Sequence, residues 1–180
     1  MILLTGFGPF LAVHTNPSAT LVRALHGRDV EGHRIVSAVL PVSFTRGPAR
    51  AVALARLLRP RLMLGFGVAT GRTAAMVERV AVNRAEGRDV DRAQPTQLVP
   101  DGGPLRDDAV APGLAAALAL PLSDDAGLYV CNAWLYHALA AAPCPAAFVH
   151  IPSEGLQPDR VLSGLGAWVR GAPDRGCTHA

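Results

Sequence analysis

Lysine is absent from this chain. All 17 basic residues are arginine, set against 14 acidic ones, and they are scattered without a run of three. Complete replacement of one basic residue by the other reads as a compositional bias, not as a phosphate-binding surface. The formal net charge of +3 and the pI of about 9.1 therefore do not mark a nucleic-acid binder. Aromatic residues make up only 5%, so the core has to be built from Ala, Val and Leu. Cysteine is scarce as well. Cys131, Cys144 and Cys177 are the full complement of 3, an odd number without Cys-x-x-Cys spacing, which argues against a disulfide framework and a zinc site. Long apolar runs are missing. The most apolar stretch, 113–122, is rich in Ala, broken by Pro121 and far too short to span a bilayer. The opening Met1-Ile2-Leu3-Leu4-Thr5-Gly6 has no basic segment ahead of its apolar residues and reads as a first strand rather than a signal peptide. These absences together lead us to expect a soluble, cytoplasmic protein with no membrane and no nucleic acid among its partners.

What is present is an aliphatic globular chain. Its 180 residues are 50% hydrophobic and 17% charged, enough for one domain with a substantial core and incompatible with intrinsic disorder. Short apolar runs alternate with helical patterns, the arrangement of a sheet covered by helices. Strands are expected over 2–5, 34–42, 62–66, 76–83 and 146–151. Asn16-Pro17-Ser18 supplies an N-cap followed by proline at the first helical position, so a helix should start there and stop at Gly27. Further helices are expected over 48–58, 109–120, 130–142 and 158–169. We expect a single domain over 1–171 and a frayed tail over 172–180. The segment 84–106 breaks the pattern: charged residues, prolines and Gly102-Gly103 leave it little to bury, which fits a functional lid or a disordered loop.

Three residues carry candidate chemistry. Cys131 falls in the first turn of an expected helix, where unpaired N–H groups and the macrodipole favour a thiolate; a small buried core residue is the other reading. His150 ends an apolar strand, and in an open α/β sheet the C-terminal ends of strands are where site residues gather. A core histidine whose hydrogen bonds are satisfied fits the same position. Glu78 lies inside Met76-Val77-Glu78-Arg79-Val80, either in a site or simply facing solvent or Arg79.

A set of ordered blocks adds to this. Leu4-Thr5-Gly6-Phe7-Gly8-Pro9-Phe10 and Asn16-Pro17-Ser18 are followed by Leu40-Pro41-Val42, Gly71-Arg72 and Glu78-Arg79-Val80-Ala81-Val82-Asn83. Gly102-Gly103-Pro104, Val130-Cys131-Asn132 and Phe148-Val149-His150-Ile151-Pro152 complete the series. In this order the blocks resemble the pyroglutamyl-peptidase I (pyrrolidone-carboxylate peptidase) family of cysteine peptidases, from the N-terminus to about residue 165. The resemblance implies an α/β/α sandwich with a mixed, mostly parallel twisted sheet. It implies a cysteine exopeptidase that removes N-terminal pyroglutamate from peptides, without metal or cofactor. Family members are often tetrameric, so a homo-oligomer stays open.

Carried over position by position, the resemblance implies Cys131 as nucleophile, His150 as general base and acid, and Glu78 as the residue orienting His150. Phe7 and Phe10 match positions that pack on the pyroglutamyl ring, Asn16 a polar pocket position, and Arg88 the arginine near the reacting carbonyl. On this reading 84–106 is a lid, mobile when empty, that brings Arg88 to the substrate. The chain also departs from the family pattern. Val68 stands where the family often has Gln, and Ser123-Asp124-Asp125-Ala126-Gly127-Leu128 replaces a segment that usually reads Ser-Tyr-Thr-Ala-Gly-Thr. A carboxylate at Asp124 or Asp125 about 8 Å from the Cys131 sulfur would oppose thiolate formation by roughly 2 kcal/mol at an effective dielectric near 20. Two other function classes stay in view: a catalytically silent homologue that still binds cyclic amides, and an arginine-rich nucleic-acid binder.

Overall fold

The computed structural model describes residues 1–10 and 15–171. The expected tail at 172–180, with Cys177, lies outside the described residues. The chain runs β1 (Ile2–Phe7), α1 (Pro17–Leu25), β2 (Asp29–Val30), β3 (His33–Leu40), α2 (Arg46–Leu58), β4 (Leu62–Val68), β5 (Met76–Glu78), β6 (Val80–Ala81), β7 (Leu105–Arg106), α3 (Ala111–Leu118), β8 (Leu122–Ser123), α4 (Val130–Ala141), β9 (Ala146–Ile151) and α5 (Pro158–Gly171). Seven strands form one sheet in the order β2-β3-β1-β4-β9-β5-β8. Neighbours along β3-β1-β4-β9 are parallel, as are β5 and β8, whereas β2 against β3 and β5 against β9 are antiparallel. The sheet is mixed and mostly parallel, as expected.

Alternation along the central strands divides the core in two. Ile2, Leu4, Leu62, Leu64, Phe66, Ala147, Val149 and Ile151 face one side, where α1, α3 and α5 cover them. Leu3, Phe7, Met63, Ala146 and Phe148 face the other, beneath α2 and α4. Strands buried on both faces read as continuous apolar runs, which is why β1, β4 and β9 stand out in the sequence. The start of α1 follows the cap chemistry: the Asn16 side chain accepts from the Ser18 amide at 3.1 Å, and Pro17 opens the helix. Among the described residues no helix is long and apolar enough to cross a membrane.

Two expectations are corrected. The strand expected over 76–83 is two strands in two sheets. At Arg79 the main chain changes partner: its N–H donates to the Ser123 carbonyl at 2.8 Å, and its carbonyl accepts from Asp107 at 2.8 Å. The chain thus leaves β8 and β9 and pairs β6 with β7.

The second correction concerns 84–106, which is anchored despite its polarity. Asn83 accepts from the amides of Leu98 and Val99 at 3.0 and 2.9 Å and donates to the carbonyls of Val99 and Gly102 at 2.8 and 2.9 Å. Buried Asp89 accepts from the amides of Phe44, Asp91 and Ala93, each at 2.9 Å. Asn132 donates to the carbonyls of Val82 and Arg84, both at 2.9 Å. Scarce apolar surface is offset by side chains that satisfy the loop's own backbone.

Candidate active site

Cys131 is the second residue of α4, whose flanking residue Tyr129 is extended. It sits where first-turn N–H groups lack intrahelical partners. Its sulfur lies over β4 at Gly67: a Cβ on Gly67 would stand 2.5 Å from Sγ and 2.8 Å from the Phe148 ring. Gly65, two residues earlier on the same strand face, makes similar room for Phe148 and Trp134. The absence of side chains at alternate positions of β4 lets α4 settle onto the sheet and lower the thiol beside His150.

His150 enters from β9, paired in register with Gly67 on one side and Met76 on the other. Glu78 stands opposite Phe148 on the antiparallel β5. The period of two puts Glu78 on the same face as His150, diagonally placed and within reach of a long side chain. Nδ1 of His150 lies 2.8 Å from Oε1 of Glu78, and the Cys131 sulfur, seated over Gly67, is beside the strand position paired with that glycine, His150. Burial, the largest single influence, pushes the imidazolium toward losing its proton. The Cys131 sulfur and the Glu78 carboxylate outweigh it, and the pKa of His150 is raised to about 9. A thiolate–imidazolium pair backed by a carboxylate is the form in which a cysteine attacks a carbonyl carbon.

The remaining expected residues fall in different places. Phe10 and Asn16 line a cavity of about 240 Å³ with Thr15, Pro17, Val68, Thr70 and Ser153, at the C-terminal ends of the parallel strands. The Asn16 amide also donates to the Gly8 carbonyl at 3.1 Å. Phe7 lies in the core, with its ring centroid 6.4 Å from that of Phe148. The Phe148 ring in turn meets His150 edge-on at 5.2 Å. Arg88 is exposed, and its main-chain carbonyl accepts from the Tyr129 hydroxyl at 2.8 Å. That bond ties Arg88 to the residue two before Cys131. A larger groove of about 690 Å³, between α2, α4 and the segment around Pro95, holds none of the expected site residues.

Two residues of the site have no role in the sequence reading. Gly67 had a visible signal, a glycine alternating with Gly65 inside a strand, which marks a close approach. Arg72 had none beyond its place in a motif block. Its guanidinium pairs with Oε1 of Glu78.

The expected repulsion of the thiolate is weakened at Asp124 by ion pairing. Asp124 turns to Arg79, whose Nε and Nη2 meet its two oxygens at 2.8 and 2.7 Å, and to Arg106 at 3.4 Å. Hydrogen bonding to Arg79 holds its carboxyl below the usual range. The Asp125 carboxylate accepts from the Gly127 amide at 2.9 Å. Asp124 is thus paired with two guanidinium groups, whereas Asp125 caps a backbone amide and has no ion pair among the described residues.

The model of the pyroglutamyl peptidase family matches residues 1–163. This chain belongs to the pyroglutamyl peptidase family. A pyrrolidone-carboxylate peptidase of Cupriavidus taiwanensis is 39% identical over 168 residues, covering 84% of this chain and 77% of the relative. The one from Pseudomonas fluorescens is 35% identical over 167 residues, covering 84% and 78%. Among solved structures, pyroglutamyl peptidase I of Bacillus amyloliquefaciens superposes with a TM-score of 0.81 at 26% identity, covering 93% of each chain. The pyrrolidone carboxyl peptidase of Thermococcus litoralis superposes at 0.80 with 22% identity, covering 94% of this chain and 91% of its own, and shares the fold.

Proposed function

We propose that this protein is a cysteine exopeptidase that hydrolyses the amide bond after an N-terminal pyroglutamyl residue of small peptides. The observation that carries the reading is His150 held between the Glu78 carboxylate and the Cys131 thiol at the start of α4. The membership of the family, whose relatives bear the name of this activity, supplies the substrate class.

In this mechanism the thiolate attacks the pyroglutamyl carbonyl carbon, forming a C–S bond while the carbonyl π pair moves to oxygen. First-turn N–H groups of α4 are the donors for that oxyanion, with Arg88 as a further candidate. Imidazolium at His150 gives its proton to the amide nitrogen as the C–N bond breaks, and the peptide leaves with a free amine. Water, deprotonated by His150, then cleaves the thioester, returning pyroglutamate and the thiolate–imidazolium pair. Glu78 keeps Nδ1 protonated and stabilises the cation, the role of the third residue in such triads. Pyroglutamate is a neutral lactam, so it suits a small, mostly apolar cavity with a few polar groups such as the one lined by Phe10 and Asn16. A free α-amine would have to shed its hydration there. A thiol nucleophile is best preserved in a reducing compartment, which supports our assignment of the protein to the cytoplasm.

A fluorogenic pyroglutamyl amide, with and without a thiol alkylator, tests this directly. Cys131→Ala is expected to lose at least about 10³-fold in kcat/KM, while Cys144→Ala stays near the parent. Activity retained in Cys131→Ala overturns the cysteine mechanism. A wild-type protein that binds the amide without turnover is the silent homologue instead.

A further inference from the structure

The turn between β4 and β5 brings a second positive charge to the buried trio. Arg72 pairs with Oε1 of Glu78, the same oxygen that meets His150. Its other terminal nitrogen donates to Ser123 Oγ at 3.3 Å and to the Asp125 carbonyl at 2.5 Å. The Glu78 side chain is wholly covered and that of Arg72 three-quarters covered, at 24% exposure. Oε2 of Glu78 has no hydrogen-bond partner among the described residues, so cation and imidazole share one carboxylate oxygen.

The charges around this oxygen can be counted. With Cys131 as thiolate and His150 as imidazolium, Arg72 brings the buried group to electrical balance; without Arg72 it carries one net negative charge. Apart from His150, no other described cation is paired with Glu78. The guanidinium of Arg79, next in the chain, is engaged by Asp124 and Asp108. Asp125 offers Arg72 its main-chain oxygen while its carboxylate caps Gly127. At the start of α4 the titratable neighbours are Cys131 and the flanking Tyr129, the latter spent on the Arg88 carbonyl. From β9 there is only His150, and β4 contributes Gly67 and Val68.

We propose that Arg72 is a positioning residue that sets the proton count of the Glu78–His150–Cys131 trio, keeping the thiolate–imidazolium form in place at neutral pH, and that its fork fastens Glu78 to the segment leading into α4. The proposal rests on the catalytic roles assigned above. Its physics is that a buried group of interacting acids takes up protons more readily when a fixed positive charge is removed, so that every step of its titration moves to higher pH. A unit charge roughly 10 Å away at an effective dielectric of about 20 moves a titration by about one pH unit.

The test compares wild type, Arg72→Gln and Arg72→Lys by two readouts on one pH series: iodoacetamide alkylation mapped to Cys131, and kcat/KM on a fluorogenic pyroglutamyl amide. In Arg72→Gln the alkylation midpoint and both limbs of the kcat/KM profile are expected to rise by about one pH unit. In Arg72→Lys, charge is kept and the fork lost, so the midpoint stays with wild type while kcat falls. A folded Arg72→Gln protein with an unmoved midpoint overturns the proposal, because a merely structural residue lowers the rate at every pH alike. If Arg72→Gln does not fold, the lysine variant decides: a midpoint displaced despite the retained charge overturns it, and a retained one upholds it. Alkylation does not depend on turnover. A wild type inert toward the pyroglutamyl amide whose midpoint still answers to Arg72 would therefore refute the proposed substrate and leave this inference standing.

Discussion

Glu78 and Arg79 are consecutive residues, and each anchors a different ionic network. Glu78 faces inward from β5 to His150 and Arg72, with its side chain at 0% exposure. Arg79 marks the end of that strand and joins Asp124 and Asp108, with Arg106 closing the group, at side-chain exposures of 24 to 63%. The outer network has better-formed forks, with two Arg79 nitrogens on two Asp124 oxygens. It nonetheless stands in water, where ion pairs contribute little and are screened. The inner one has a single shared oxygen, but little water competes for it. Removing one partner there strands a charge, which costs far more than the intact pair contributes. Exposure, not the quality of the hydrogen bonds, decides which network matters to chemistry.

The largest effect should come from cutting the inner network at its centre. Glu78→Gln keeps the shape but removes the charge that both His150 and Arg72 face, and kcat/KM is expected to fall by about 10³–10⁴-fold. Breaking the buried contacts is expected to cost about 3 kcal/mol in urea unfolding. The pH dependence of stability should change with it. The pKa of His150 is raised to about 9 from an ordinary 6.5, so its contribution is complete below about 6.5 and lost as pH rises through about 9. Wild-type Tm should therefore decline across that window, and Glu78→Gln, lacking one of the raising influences, should decline less. Near-wild-type kinetics in Glu78→Gln would erase the distinction between the two networks.

A middle-sized effect is expected from Gly67→Ala, which leaves every charge in place. The new methyl would meet the Cys131 sulfur and the Phe148 ring, pushing α4 off the sheet and separating thiol from imidazole. A loss of about 10²-fold in kcat/KM is expected, since displacements of about 1 Å are worth that much. Slower alkylation at neutral pH should accompany it. Unchanged alkylation would show that the pair tolerates a wider gap than the packing indicates.

The smallest effect belongs to the outer network. Asp124→Asn should leave the midpoint of Cys131 alkylation within about 0.2 pH units of wild type and kcat/KM within about twofold, as for an exposed and screened pair. A lowered midpoint would restore the idea that this carboxylate opposes the thiolate.

The sequence made some of this legible and hid the rest for specific reasons. The buried strands β1, β4 and β9 and the cap at Asn16 are local facts, written in contiguous apolar runs and in Asn-Pro-Ser. Cys131, His150 and Glu78 stood out through the motif blocks around them, and the structure brings the three together. The switch of sheets at Arg79 was invisible because alternation along 76–83 continues through it, while only the hydrogen-bond partners change. The anchoring of 84–106 was missed because Asn83 and Asp89 look like ordinary loop residues until their backbone partners are known. Arg72 was hidden for the same reason. Its partners Glu78, Ser123 and Asp125 meet only after β5 has docked beside β8 and β9.

That docking has a consequence for the life of the chain before it is finished. His150 and Glu78 are separated by 72 residues, and the strand carrying the imidazole follows the helix carrying the sulfur. Contacts so distant in sequence form late, because the loop between them must be closed before they yield anything. A growing polypeptide that has emerged through α4 but not β9 therefore carries at position 131 a thiol with no base beside it. Such a thiol is no more nucleophilic than free cysteine beyond what the helix start supplies. The pairing of thiol and base therefore requires β9, which is made after every other strand described.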